Sequence, residues 1–185
     1  MINELLKRIA QALDRQKIPY MIIGGQAVLL YGSPRLTRDI DITLGVDTDF
    51  YEKILKLCAG LKLKVLPKNP GQFVKNSKVL PTEDSRSKIR VDFIFSNTSY
   101  EQEAIRRAKK VTLQGKKISF VSLEDLIIHK MFAGRAIDLE DVRTILIKQK
   151  SVDFVYIRRW LKEFSKLKES AENPLTTFDR LRKKA

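Results

Sequence analysis

Asp39 and Asp41 are the residues in this chain best placed to do chemistry. They stand in Asp39-Ile40-Asp41-Ile42, an alternation that reads as a strand. Alternate side chains share a face, so the two carboxylates point together while the isoleucines point the other way. Two adjacent anions repel, and a shared divalent cation is the usual reason to place them so. An exposed edge strand with its isoleucines packed inward gives the same pattern. A third acid, Asp92, interrupts the apolar run Ile89-Arg90-Val91-Asp92-Phe93-Ile94-Phe95, where aspartate is disfavoured. It is either a third metal ligand or an outward-facing charge, and Arg90 shows that this strand has a polar side. Upstream, Gly24-Gly25 separates a short apolar run from a helical pattern. Such a turn lets a phosphate approach the backbone at a helix N-terminus, although an ordinary strand-to-helix turn uses the same pair.

Between the glycines and the aspartates lies a loop with Arg35, Thr37 and Arg38. Alternation places Thr37 on the face of the aspartates and Arg38 on the opposite one, which favours Arg35 and Thr37 as ligands. Further on, Lys130 falls on a largely apolar helical stripe with Leu126 and Ile127. A buried lysine is costly unless paired. Two roles fit it: an ammonium aimed at a phosphate or carboxylate of the site, or a lysine snorkelling to water. Asp138 and Asp141 read as capping of a helix beginning near 138. Arg135 can pair with either aspartate or reach a triphosphate. His129, the single histidine, has no partner motif, and Cys58 reads as a small buried hydrophobe.

These residues need a scaffold. Helical spacing covers 2–15, about 49–60, 100–110, 122–134, 138–149 and 152–168, with a short helix at 26–31. Strands are expected at 20–23, 39–44, 61–66 and 89–95, and 111–120 reads as a hairpin turning at Gln114-Gly115. Residues 67–84 contain Pro67, Pro70 and Pro81 and read mostly as loop, with room for one short helix at 71–79. Asn173-Pro174 breaks the last helix, leaving a basic tail. Strands and helices mix up to residue 120 and helices dominate beyond it. The class is therefore α/β (α+β), a mixed twisted sheet flanked by helices, with a helical C-terminal extension.

Bulk properties set limits. The 185 residues suffice for one domain, or for a core of 1–120 with an extension of 121–185 packed on it. No apolar run reaches the ~18 residues of a membrane span. The N-terminus lacks the pattern of a signal peptide, and one cysteine forms no internal disulfide, so a cytoplasmic setting is expected. The formal charge of +14, from 36 Lys+Arg against 22 Asp+Glu, attracts polyanions such as NTPs or RNA. A Lys-rich solvated surface carries the same charge.

Taken together, Gly24-Gly25-x-Ala27, Gly32, Arg35, Thr37, Asp39-x-Asp41 and Val91-Asp92-Phe93 resemble the core motif of the DNA polymerase β-type nucleotidyltransferase superfamily. The form is similar to minimal bacterial nucleotidyltransferases, including AbiEii-like toxins and small antibiotic nucleotidyltransferases. Ser122-Leu-Glu-Asp125, Lys130, Ala133, Arg135 and Asp138-x-x-Asp141 resemble later elements of the AbiEii-like members, except that Ile137 stands where those have lysine. The resemblance implies the nucleotidyltransferase fold. It also implies transfer of a nucleoside monophosphate from an NTP to a hydroxyl, with two Mg²⁺ ions and release of pyrophosphate. Asp39, Asp41 and Asp92 would hold metal, and Asp92 would help deprotonate the acceptor. Gly24, Gly25, Arg35, Thr37 and Lys130 would contact the NTP. The acceptor would be RNA (a tRNA end, for example), a protein side chain or a small molecule. Two other readings compete: a non-catalytic nucleotide- or RNA-binding module, and the toxin of a toxin–antitoxin pair held by an antitoxin partner.

Overall fold

The computed structural model describes residues 1–166 and 173–183. The predicted end of the 152–168 helix therefore lies partly outside the described residues. The chain divides into two compact units. The first holds residues 1–26 and 37–121, the second residues 27–36 and 122–185.

The first unit is built on a seven-stranded mixed sheet. Its strands are β1 (Tyr20–Ile23), β2 (Asp39–Leu44), β3 (Leu63–Val65), β4 (Val79–Asp84), β5 (Arg90–Phe95), β6 (Lys109–Leu113) and β7 (Lys116–Phe120), in spatial order β3-β4-β5-β2-β1-β7-β6. β2 pairs antiparallel with β1 and parallel with β5, and β1 pairs parallel with β7. Alternation does what the sequence implied. Ile40, Ile42, Val91 and Phe93 are fully buried on one face, leaving the acidic positions on the other. Helix α1 (Ile2–Arg15) turns Leu5, Leu6, Ile9, Ala10 and Leu13 inward along one stripe, and α3 (Tyr51–Leu61) and α5 (Ser99–Arg107) follow β2 and β5 in the chain.

One strand departs from expectation. Residues 79–84 form β4, between β3 and β5, despite Pro81. The Pro81 carbonyl accepts from the Leu66 N–H, so its missing donor also faces β3, beyond Val65, the last paired residue of that strand. The β5 side of the ladder is untouched, and this is where a sheet tolerates proline. Ahead of it, helix α4 (Pro70–Ser77) starts on Pro70 at its first turn.

Helix α2 (Gly24–Tyr31) starts two residues earlier than its apolar pattern suggested. The chain passes into the second unit within it. There α6 (Leu123–Ala133), α7 (Ala136–Lys148), α8 (Phe154–Ser165) and α9 (Pro174–Arg182) pack together. Ser122 caps α6 by accepting from the Asp125 N–H, and Gly134 closes it in the left-handed region. The "basic tail" is in fact α9. Asn173 accepts from the Leu175 and Thr176 N–H groups, and Phe178 is fully buried. Among the described residues, no helix is long and apolar enough to cross a membrane.

Candidate active site

The acidic positions line up because of strand register. Asp41 is paired with Ile23 of β1 on one side and with Asp92 of β5 on the other, and Asp39 is paired with Arg90. Register partners project to the same face. Asp39, Asp41 and Asp92 therefore share one face of the sheet, from two adjacent parallel strands. Asp39 is exposed, while Asp41 and Asp92 are half-buried.

The glycine pair sits against these carboxylates. Gly24 has φ +64, and a Cβ built there would lie 2.0 Å from Asp41 Oδ2. A Cβ on Gly25 would lie 2.3 Å from Thr37 Oγ1. Both positions thus need glycine because of what touches them, and Gly24 also needs it for its backbone angle. Thr37 Oγ1 donates to Asp39 Oδ1 at 2.7 Å, and Gln26 Nε2 donates to the Asp39 carbonyl at 3.1 Å. The start of α2, the Thr37 hydroxyl and the two β2 aspartates thereby form one patch.

Arg90, which in the sequence marks only the polar side of its strand, is a member of this patch. Its Nε donates to Asp92 Oδ1 at 2.8 Å and Oδ2 at 3.1 Å. The hydrogen bond to Asp92 pushes the guanidinium's pKa up against the cost of desolvation, with the charges of Asp92, Asp41 and Asp39 adding to it. The available signal was the i, i+2 spacing of Arg90 and Asp92 on one strand face.

The donor set is all oxygen, which suits a hard divalent cation. Among the described residues, no group of three or more His, Cys, Asp or Glu side chains forms a ready metal cage. Magnesium is commonly held by one or two carboxylates together with substrate phosphates rather than by a protein cage. The paired Asp41 and Asp92, with Asp39 beside them, fit an ion that arrives with a triphosphate.

Arg35 and Lys130 lie in the second unit, in an ion-pair cluster of their own. Lys130 is 5% exposed, and its Nζ is 2.7 Å from Asp138 Oδ1 and 2.9 Å from Asp141 Oδ2. Arg135 Nε donates to Asp138 Oδ2 at 2.6 Å. Arg35 binds Asp141 through two hydrogen bonds of 2.8 and 2.9 Å. Burial pushes both aspartates up, but the opposing hydrogen bonds win and hold both below the usual carboxylate range. Those bonds come from Arg135 and Lys130 to Asp138, and from Arg35 and Lys130 to Asp141. Contrary to the expectation from sequence, Asp138 and Asp141 do not cap α7. Arg135 is the N-cap residue of α7 and no side chain caps that end. Both aspartates instead turn inward to neutralise a buried lysine, so Lys130 does not snorkel. Cys58 is fully buried in the first unit, its thiol pushed up to about 12 by desolvation.

A family model described as "Nucleotidyltransferase of unknown function (DUF6036)" matches residues 1–179. No curated protein matches the chain by sequence. Among solved structures, it is similar to an antigenic nucleotidyltransferase-like protein from Paracoccidioides brasiliensis. Identity is 16%, 95% of this chain and 92% of that one are covered, and the TM-score is 0.59. It is also similar to ANT(2")-Ia in complex with adenylyl-2"-tobramycin, at 16% identity, 98% and 97% coverage and a TM-score of 0.57. A third is the lincosamide antibiotic adenylyltransferase LnuA, lincomycin-bound, at 18% identity, 77% and 94% coverage and a TM-score of 0.55. At such identities the likeness is one of fold: a mixed sheet flanked by helices.

Proposed function

The chain belongs to the nucleotidyltransferase family of that description, and from this premise we propose that it moves a nucleoside monophosphate from an NTP to a hydroxyl acceptor at the patch around Asp39, Asp41 and Asp92. The observation carrying this reading is the register of β2 and β5, which sets Asp41 beside Asp92 on one sheet face with Gly24 against Asp41.

In the proposed reaction the acceptor oxygen attacks the α-phosphorus. The bond from that phosphorus to the bridging oxygen breaks, and pyrophosphate leaves. Such transfers demand positioning and charge neutralisation more than covalent chemistry by the protein. Gly24 and Gly25, at the start of α2, receive the triphosphate, whose oxygens are favoured by the free N–H groups of the helix end. Thr37 orients Asp39. Asp39 and Asp41 would hold Mg²⁺ with the triphosphate, and Asp92 would complete the set on the acceptor side. Two such ions would supply charge neutralisation at the attacking and leaving oxygens. Asp92 accepts the proton of the acceptor hydroxyl once Arg90 lets go of its carboxylate. Arg35 and Lys130 act at one remove, holding the second unit together through Asp138 and Asp141.

Thermal melting tests the reading. Wild type should be stabilised by an NTP only when Mg²⁺ is present, and Asp39→Asn/Asp41→Asn should lose the shift. Transfer of label from an α-labelled NTP should vanish in Asp92→Asn. If no NTP shifts the melting point of wild type, the reading fails.

A further inference from the structure

A cavity of about 550 Å³ opens on the first unit, walled by α4 and the segment before it. Pro81 of β4 and Arg90 of β5 are part of its lining. Pro81 is the register partner of Asp92, which is the register partner of Asp41. The three residues form one row across three strands on one sheet face. The cavity therefore lies beside Asp92, one strand outward from the carboxylates, on the side away from Gly24.

Its chemistry is specific. Phe73, 43% exposed, offers flat apolar surface, and the buried Pro81 closes the floor beside it. Asn69 and Gln72 bring carboxamides, each both donor and acceptor, and Gln72 Nε2 is held by Asn76 Oδ1 at 3.0 Å. Lys68 and Arg90 bring two cations, and no acidic residue lines the cavity. A polycationic aminosugar would meet the wrong charge here. A flat ring with hydrogen-bonding edges and an anionic group meets stacking, amides and cations together.

We propose that this cavity is the acceptor subsite and that it takes a nucleoside phosphate with a free hydroxyl, either as a free nucleotide or as the end of an RNA strand. The inference rests on the transfer reading above. Phe73 stacks on the base, Asn69 and Gln72 meet its edges, and the phosphate draws Arg90 away from Asp92. An acceptor seated there brings its hydroxyl to the carboxylate that must take the proton. Arg90 thereby couples occupancy of the cavity to release of Asp92.

The test measures binding by ligand-observed NMR, with a non-hydrolysable NTP analogue filling the triphosphate site. The probes are AMP, CMP, a short RNA ending in a 3′-hydroxyl, and tobramycin as a cationic comparison. AMP or CMP should bind wild type and lose at least tenfold in Phe73→Ala and in Gln72→Leu. Circular dichroism and the Mg²⁺–NTP melting shift of both variants should match wild type. RNA binding with the same sensitivity, in the absence of mononucleotide binding, identifies a strand end as the source. Tobramycin competing at the same residues overturns the proposal, as does nucleotide and RNA binding unchanged in both variants. A missing NTP shift in wild type defeats the transfer reading instead, and the same variants then report on the cavity without the analogue.

Discussion

Arg35 clamps Asp141 with two hydrogen bonds, Nε to Oδ1 at 2.8 Å and an Nη to Oδ2 at 2.9 Å, joining positions 106 apart in the chain. A planar fork meeting a carboxylate edge-on is a geometry that lysine cannot reproduce. Arg35→Ala should cost about 2 kcal/mol, or about 4–8 °C in melting temperature for a chain of this size. Arg35→Lys should recover less than half of that. A lysine variant as stable as wild type would show that charge alone, not the fork, is what Asp141 requires.

The other half of this cluster is tighter. Lys130 is buried between Asp138 and Asp141, and Asp138 is fully buried. Asp138→Asn takes away one of the two carboxylates that neutralise the buried Lys130 and should cost about 3 kcal/mol in urea denaturation. Lys130→Met should cost a similar amount, since it removes the one cation that Asp138 and Asp141 share and leaves each with a single arginine. The double variant should lose less than the sum of the two, with a coupling of about 1–3 kcal/mol. Strict additivity would mean that the pair does not act as a unit.

Acid should erase the contribution of both aspartates. Each titrates lower in the folded chain than its ordinary value of 3.8, because its ion pairs outweigh burial. The unfolded chain therefore takes up these protons first. The stabilisation is complete above 3.8 and is lost as pH falls through that value toward the lower folded-state values. The stability gap between wild type and Asp138→Asn/Asp141→Asn should be constant from pH 7 to about pH 5 and narrow steadily below 3.8. A gap that stays constant at low pH would contradict the assignment.

What sequence could and could not deliver follows from the range of each interaction. Asp39-x-Asp41 and Asp92 were legible because strand alternation is local, and their neighbours Ile40, Ile42, Val91 and Phe93 mark the buried face. β4 was hidden by Pro81, whose tolerance depends on where β3 stops, a fact of another strand. The last helix was hidden by its charges; its signals were Asn173-Pro174 as a cap and the aromatic Phe178, fully buried. Asp138 and Asp141 looked like local caps because Lys130 and Arg35, which join the local Arg135 as their partners, are fixed only by packing. The one usable hint was energetic: a lysine on an apolar stripe must find an anion somewhere.

Gly24 is the place to separate site geometry from stability. Its Cβ would meet the far end of the Asp41 side chain, Oδ2 at 2.0 Å and Cγ at 3.0 Å, so the carboxylate must shift. Gly24→Ala should therefore fold, losing about 1–2 kcal/mol for its left-handed backbone. The displaced carboxylate should nonetheless cut label transfer at least a hundredfold. Gly60→Ala, where a Cβ meets nothing within 4 Å, is the control and should leave transfer unchanged. Equal transfer in the two variants would remove Asp41 from the reaction.

Under the proposed function Arg90 would compete with a metal ion for Asp92, since its Nε holds both carboxylate oxygens. Taking the guanidinium away should leave Asp92 more available to a cation. In Arg90→Gln the Mg²⁺ concentration giving half-maximal transfer should fall several-fold, because one charge-assisted hydrogen bond of roughly 1.5–3 kcal/mol no longer has to be broken. The acceptor KM should rise in the same variant if Arg90 also holds the acceptor's phosphate. Arg90→Lys should keep part of the acceptor affinity but not the grip on both oxygens. Chelation of Mg²⁺ should abolish transfer in wild type and in both variants. An Mg²⁺ requirement that rises in Arg90→Gln would show that the arginine assists the metal site rather than guarding it.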